Sequence, residues 1–170
     1  IRAHAADGLL HGVTPDGKQL FAPVKVGEPL GFAAPVVDLQ GNTYISAYDG
    51  GLIRVNVQGV ADSRRYFRTR QKLDSAGIIV DGVLFIGSED GYVFAIELLP
   101  EQGANKWSPM LEQGFIGGFI NSSPAVTDDL GLIILASRDE KLVGLAPTGT
   151  TAFHTPIPGQ MLGSPVIDKQ

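Results

Sequence analysis

The sequence predicts an all-β protein built from repeated four-stranded antiparallel units, the blades of a β-propeller. The first of three observations is a short phrase that returns along the chain. It reads APVVD at residues 34–38, SPAVT at 123–127 and SPVID at 164–168, with a looser copy, SAGII, at 75–79. In chain order the copies are 41, 48 and 41 residues apart. A period of about 40–50 residues is typical of propellers and other repeat arrays.

The second observation is a turn that returns in step with this phrase. A short apolar run precedes each of Asp7, Asp49, Asp90 and Asp139, and glycine follows the first three. Asp-Gly is a strong hairpin signal because both residue types tolerate the positive φ of a tight turn. The repeat places these aspartates in equivalent turns on one face of the ring. We therefore expect them to shape turns rather than to form an acid cluster.

The third observation is the composition of the segments between turns. Apolar runs of 4–7 residues are rich in Val, Ile, Leu and aromatics, and Gly or Pro residues separate them. This pattern is typical of short strands, and no stretch with helical periodicity is longer than two turns. Each unit holds four such runs, and four antiparallel strands per unit describe one propeller blade.

The second run of each unit is apolar along its whole length, which is expected of a strand covered on both faces by neighbouring blades. We predict that an inter-blade core forms from Tyr44, Ile45, Phe85, Ile86, Ile134 and Leu135. The fourth run is more polar, as expected at the rim, and carries one aromatic residue in each unit. These aromatics are Phe21, Phe67, Trp107 and Phe153.

The repeat divides the single propeller domain or segment, residues 1–170, into three complete and two partial units. The complete units are 34–73, 75–121 and 123–161, and the partial ones are 1–33 and 163–170. The first strand missing from the N-terminal unit appears only at 164–168. Either the chain is a segment of a longer propeller, which we favour because four blades is the lower limit, or the terminal halves close a four-bladed ring. Free blade edges would pair in trans and give a homo-oligomer.

Composition excludes several classes of function. The formal net charge of -5 argues against a nucleic-acid partner. The absence of cysteine excludes disulfides, thiolate nucleophiles and Cys-ligated zinc. No apolar run approaches the roughly 18 residues of a membrane span. The chain begins at Ile1, apparently in mid-strand, so we interpret it as a piece of a longer product.

The repeat resembles the pyrroloquinoline-quinone-like β-propeller repeat. The best copy is GVLFIGSEDGYVFAI at residues 82–96, and its tail, GANKW at 103–107, is similar to the Gly-Lys-x-x-Trp stretch of that family. Residues 145–153 have the same layout with Phe in place of Trp. The family includes quinoprotein dehydrogenases, an outer-membrane assembly lipoprotein and sensor ectodomains. The resemblance therefore implies a propeller fold and a periplasmic or extracellular location.

The chain departs from the enzymes of that family. It has one Trp and no adjacent Cys pair of the kind some of them place over the quinone. We predict a non-catalytic scaffold that binds a protein or an anionic component of the cell envelope, with no catalytic residue, metal ligand or cofactor. The alternative is a segment of a quinone-dependent dehydrogenase, for which the resemblance implies pyrroloquinoline quinone and Ca²⁺.

Two groups of residues are candidates for binding. A basic run at residues 64–72 contains Arg64, Arg65, Arg68 and Arg70, and is either a solvated outer strand or a docking patch for an anionic partner. The longest unit adds Trp107, Phe115 and Phe119 near the adjacent glycines 117 and 118. This segment either grips a ligand or is a longer crossover whose aromatics pack between blades.

The three histidines complete the set of candidate residues. His4 and His11 are expected on neighbouring strands of one blade, where a metal pair is conceivable, but the sequence offers no obvious third ligand. His154 is expected on the surface or the rim. The chain also lacks the Gly-x-Ser-x-Gly, His-Glu-x-x-His and phosphate-loop patterns.

Overall fold

The structure is a computed structural model of the chain, and it describes residues 1–5, 7–27, 33–99, 101–107 and 113–168. In these described residues, fifteen strands form four antiparallel sheets. No described segment is a helix that could cross a membrane. The predicted all-β, blade-type architecture is confirmed.

Sheet 1 has three strands and the other sheets have four, each in simple up-and-down order. Sheet 1 contains β1 (Arg2–His4), β2 (Leu9–Val13) and β3 (Gln19–Lys25). Sheet 2 contains β4 (Val36–Val37), β5 (Thr43–Ser46), β6 (Gly51–Val55) and β7 (Phe67–Arg68). Sheet 3 contains β8 (Ile78–Val80), β9 (Val83–Gly87), β10 (Val93–Glu97) and β11 (Ala104–Asn105). Sheet 4 contains β12 (Ala125–Val126), β13 (Ile133–Ser137), β14 (Lys141–Leu145) and β15 (Thr151–Pro156).

The core lies between successive sheets rather than within one of them. Strands β5, β9 and β13 are buried at every position, and all six predicted core residues are buried. One apolar cluster joins sheets 1 and 2, a second joins sheets 2 and 3, and a third joins sheets 3 and 4. Within the described part of the chain no cluster joins sheet 4 back to sheet 1. Each sheet therefore packs against the next one in chain order.

Aromatic side chains on or near the outer strands pack against the next sheet. Phe21 of β3 covers the turn before β7, where a Cβ on Gly59 would lie 2.7 Å from its ring. Tyr66 repeats the contact one sheet further along, because a Cβ on Gly103 would lie 2.9 Å from its ring. Its hydroxyl also donates a hydrogen bond to the carbonyl oxygen of Leu99.

Trp107 makes the third such contact, between sheets 3 and 4. A Cβ on Gly149 would lie 2.6 Å from the indole, and the indole Nε1 donates to the carbonyl oxygen of Pro147 at 3.0 Å. The sequence pattern assigned the equivalent aromatic of sheet 2 to Phe67. The structure gives that position to its neighbour Tyr66, because the chain bends just before β7.

The C-terminal segment does not make the pairing that a closed four-bladed ring requires. Residues 164–168 form no strand and do not pair with β1. Ser164 lies beside sheet 4, where its Oγ accepts a hydrogen bond from the backbone N of Ser123 at 2.9 Å. Val166 is 91% exposed. The favoured alternative, a segment of a longer propeller, stays a prediction.

Candidate binding site

The turns that follow β1, β5, β9 and β13 define one face of the molecule, here called the Asp-turn face. Asp7, Asp49 and Asp90 each accept a hydrogen bond from the backbone N two residues ahead, at 3.0, 2.9 and 3.1 Å. The fourth turn differs, because Glu140 takes the positive φ of 64° that glycine takes elsewhere. Asp139 in that turn accepts a hydrogen bond from the Lys141 ammonium at 2.7 Å.

Arg65 holds one of these turns in place. Its Nε and Nη2 donate to Oδ2 of Asp49 at 3.0 and 2.9 Å, and its side chain is only 20% exposed. Burial acts to raise the pKa of Asp49, but the hydrogen bonds from Arg65 and from the Gly51 amide outweigh it and lower the pKa below its usual range. Arg65 is thus engaged within sheet 2. Arg68 makes a longer contact with the same residue, with its Nη2 3.7 Å from Oδ2 of Asp49 and its Nη1 3.5 Å from the Asp49 carbonyl oxygen.

The other three arginines of the run are exposed and lie on or beside β7, the outer strand of sheet 2. The Arg68 side chain is 61% exposed. The backbone N of Arg70 donates to Oδ2 of Asp90 at 3.3 Å, which ties this rim to the Asp turn of sheet 3. Arg64 is on the opposite side of Tyr66 and lines a separate cavity of 310 Å³.

A row of four aromatic rings runs from this rim across sheet 3. The ring centroids are 5.5 Å apart for Phe67 and Phe94, 6.1 Å for Phe94 and Tyr92, and 4.9 Å for Tyr92 and Phe115. These separations and the tilted ring planes are those of favourable aromatic pairs. Phe94 is buried and Phe115 is 43% exposed, so the row leads from the core to solvent.

The arginines and the aromatic row meet at a cavity of 380 Å³ between sheets 2 and 3. We call this cavity the arginine–aromatic groove; its lining includes Phe67, Arg68, Arg70, Asp90, Tyr92 and Phe94. Asp90 is the one carboxylate in the part of the lining that the structure describes, and it already accepts two backbone hydrogen bonds. The groove therefore combines two exposed guanidinium groups with apolar walls.

The three aromatic residues predicted from the longest unit lie in three different environments. Trp107 is 5% exposed and fastens sheet 3 to sheet 4, although its edge also reaches the groove. Phe115 extends the aromatic row. Phe119 is 51% exposed, and its carbonyl oxygen accepts a hydrogen bond from the Arg138 amide in the Asp turn of sheet 4. The segment thus packs between sheets at one end and presents exposed rings at the other.

The histidines are not brought together. His4 is paired with Leu10 and faces sheet 2, where its Nε2 lies 2.8 Å from the carbonyl oxygen of Ala33. His11 is paired with Ala3, so its side chain is on the opposite face of sheet 1. Among the described residues no three His, Cys, Asp or Glu side chains come close enough to hold a metal.

A larger cavity of 670 Å³ opens between sheets 2 and 3 on the face opposite the Asp turns. Its polar groups are engaged with one another: the Tyr44 hydroxyl donates to Asp38 at 3.0 Å, and Arg54 Nε donates to Asp62 at 2.9 Å. Burial and the neighbouring Asp38 carboxylate raise the pKa of Tyr44 well above its usual range, so the phenol stays protonated. Arg54 also reaches the next unit, because its Nη1 donates to the carbonyl oxygen of Leu99, just after β10, at 3.3 Å.

Several solved structures superpose on this chain and share little sequence with it. BamB from Moraxella catarrhalis, a β-propeller, superposes with a TM-score of 0.70 at 16% identity, over 91% of this chain and 44% of BamB. For the computationally designed Ika8 protein the TM-score is 0.79 at 15% identity, over 98% of this chain and 49% of Ika8. For the designed Ika4 protein the TM-score is 0.70 at 14% identity, over 89% of this chain and 88% of Ika4.

These comparisons show the fold. The chain spans less than half of the length of BamB and of Ika8. No protein-family profile and no curated protein sequence matches it. Sequence, strand topology and structural likeness therefore agree on a blade-type β-propeller.

Proposed function

We propose that this chain is a non-catalytic propeller scaffold that binds a protein partner through the arginine–aromatic groove. The observation that carries the proposal is the placement of Arg68 and Arg70 beside an open cavity with aromatic walls. Arginine and aromatic residues are enriched at the energetic centres of protein interfaces. The likeness to a BamB propeller supports a scaffold role.

The chemistry of the groove specifies the partner. Two guanidinium groups favour carboxylates, which they can bind through paired hydrogen bonds. The walls formed by Phe67 and Tyr92 favour an aromatic or aliphatic side chain between those carboxylates. The partner segment is therefore acidic with one apolar anchor. The repeat resemblance supports a pyrroloquinoline-quinone-like family and a partner in the periplasm or outside the cell.

Binding is tested with a fluorescein-labelled peptide that carries one Trp flanked by Glu residues, followed by fluorescence anisotropy. The double variant Arg68→Ser/Arg70→Ser should bind about tenfold more weakly, which is about 1.4 kcal/mol. The loss should shrink as salt is raised, because exposed charges are screened. The melting temperature should stay unchanged, since both side chains are exposed.

The matched control is Arg64→Ser/Arg138→Ser, which removes the same charge from exposed positions outside the groove. Equal losses in both double variants would show a general charge effect and would refute the groove as the site. If the chain binds phosphatidylglycerol vesicles but not the peptide, the protein partner is refuted and the partner is an anionic component of the cell envelope.

The quinone-dependent dehydrogenase alternative has its own assay. A segment of such an enzyme should bind pyrroloquinoline quinone in the presence of Ca²⁺ and oxidise alcohols in a dye-linked assay. A scaffold should do neither. Dye reduction that depends on both the quinone and Ca²⁺ would overturn the non-catalytic proposal.

A further inference from the structure

We propose that the partner segment continues beyond the arginine–aromatic groove and inserts a second, aliphatic side chain into the equivalent cavity between sheets 3 and 4. This inference rests on the proposed function, because the arginine–aromatic groove binds the acidic part of the segment. We call the second cavity the sheet 3–4 groove. Its described lining consists of Phe115, Ile116, Lys141, Val143, Thr151 and His154.

The backbone places the two cavities at equivalent positions of the repeat. Arg68 pairs with Gly51 in sheet 2, and Phe115 pairs with Tyr92 beside sheet 3. Gly51 and Tyr92 each come two residues after the aspartate of an Asp turn. The residues that follow Arg68 and Phe115 each donate a backbone hydrogen bond to the carbonyl oxygen just before that partner, at 2.8 and 3.0 Å. Phe115 is therefore the counterpart of Arg68.

The opposite walls of the two cavities are equivalent as well. Tyr92 and Phe94 of sheet 3 line the first cavity on the face that packs toward sheet 2. Lys141 and Val143 of β14 line the second cavity on the face that packs toward sheet 3. His154 pairs directly with Val143, so its side chain lies on the same face. The sheet 3–4 groove thus lies between two sheets that already pack on each other.

An aromatic contact joins the two cavities. Tyr92 lines the first and Phe115 lines the second, and their ring centroids are 4.9 Å apart. Phe115 is 43% exposed, so its ring meets solvent between the cavities. A bound segment that leaves the first cavity therefore reaches the second over a continuous aromatic surface. Packed sheets lie about 10 Å apart and an extended chain rises about 3.3 Å per residue, so about three residues separate the two anchors.

The chemistry of the second cavity favours a different side chain from the first. Phe115 takes the position of Arg68, and the Lys141 ammonium already donates a hydrogen bond to Asp139 at 2.7 Å. The charge of this lysine is thus balanced within its own turn, while Phe115 and Val143 provide apolar walls. The cavity is also smaller, at 180 Å³ against 380 Å³. Burial of an aliphatic side chain there is favourable, whereas a second carboxylate finds no unpaired guanidinium among the described lining residues.

The test extends the fluorescein-labelled peptide, with its Trp and flanking Glu residues, by a spacer of two to six Gly and Ser residues that ends in Leu. The extension is placed at either end, and each peptide has a control in which Ser replaces this Leu. In fluorescence anisotropy with the unmodified chain, at least one Leu peptide should bind about tenfold more tightly than its Ser control, because a second anchor on a short linker adds to the affinity of the first. The end that carries the effective Leu gives the direction of the bound segment.

Two substitutions on one strand locate the second anchor. Thr151 is exposed and lines the sheet 3–4 groove, so Thr151→Trp should fill that cavity. This variant should bind the Leu peptide and its Ser control equally, with the affinity of the single-anchor peptide unchanged. Thr155→Trp is the matched control, because Thr155 is exposed on the same strand but pairs with Leu142, on the opposite face of sheet 4. It should keep the tenfold preference for Leu. Trp is well accommodated in strands.

The outcomes separate this inference from the proposed function. If the unmodified chain does not bind the single-anchor peptide, the proposed function is refuted and this inference is refuted with it. If the single-anchor peptide binds but Leu adds nothing at any spacing or at either end, only the second anchor is overturned. A gain from Leu that survives Thr151→Trp, or that Thr155→Trp removes to the same extent, would place the Leu outside the sheet 3–4 groove and would also overturn the inference.

Discussion

Replacing Gly149 by alanine tests whether the aromatic contacts hold the sheets together. Gly149 has a φ of 82°, and a Cβ there would lie 2.6–2.9 Å from three atoms of the Trp107 indole. Real Cβ atoms do not approach other heavy atoms so closely, so the indole must move. Movement of the ring also threatens its hydrogen bond to the Pro147 carbonyl, which is 3.0 Å long.

Gly82 provides the matched control for the backbone cost. Its φ is 74°, and a Cβ there would meet nothing within 4 Å. Gly82→Ala should therefore lose only the left-handed backbone preference, about 1–2 kcal/mol. Gly149→Ala adds overpacking of about 1–3 kcal/mol and a weakened hydrogen bond of about 1 kcal/mol. The extra cost beyond the control is about 2–4 kcal/mol.

The measurement is urea unfolding followed by far-ultraviolet circular dichroism, because Trp107 is the one Trp of the chain and its fluorescence is lost in one variant. The cycle is completed with Trp107→Ala and with the double variant. Once the indole is absent, Gly149→Ala should cost no more than Gly82→Ala. If Gly149→Ala lowers the free energy of unfolding equally with and without the indole, packing of Trp107 against Gly149 does not join the two sheets.

Two further predictions concern the core and the ion pair. Ile45→Ala, at a fully buried position between sheets 1 and 2, should cost about 2–5 kcal/mol, whereas Val37→Ala, at a 45% exposed position, should cost under about 1 kcal/mol in the same urea assay. The pKa of Asp49 is lowered in the folded protein, so its pairing with Arg65 stabilises the fold at any pH above the unfolded carboxyl pKa of about 3.9. This stabilisation is lost as the pH falls through the lower pKa of the folded state. The free-energy difference between wild type and Asp49→Asn should thus be at most about 1 kcal/mol at neutral pH and should vanish in acid; a difference that grows in acid would contradict it.

The repeat made the sheets and their core predictable from sequence. A strand that is buried on both faces is apolar at nearly every position. The strands containing Ile45, Ile86 and Leu135 could therefore be recognised without a structure. Hairpin turns are equally local, since the Asp-Gly pairs determine them within four residues. These features depend on residues close together in the chain.

Contacts between residues distant in sequence, or dependent on the backbone path, could not be predicted. The close pairing of Arg65 with Asp49 joins residues 16 positions apart across a strand pair, so sequence did not distinguish Arg65 from the other arginines of the run. The choice between Tyr66 and Phe67 depends on the bend before β7. The segment at residues 164–168 has the sequence of a strand but forms none, because pairing needs an adjacent strand edge as well as a suitable sequence.

The arginine–aromatic groove lies between two inner sheets. Its described lining comes from sheets 2 and 3 and from Trp107, with no residue of sheet 1 or of sheet 4. Each contact between successive sheets has its own aromatic residue, which is Phe21, Tyr66 or Trp107. Peptide binding at the groove should therefore depend on the contact between sheets 2 and 3 and not on the sheets at either end.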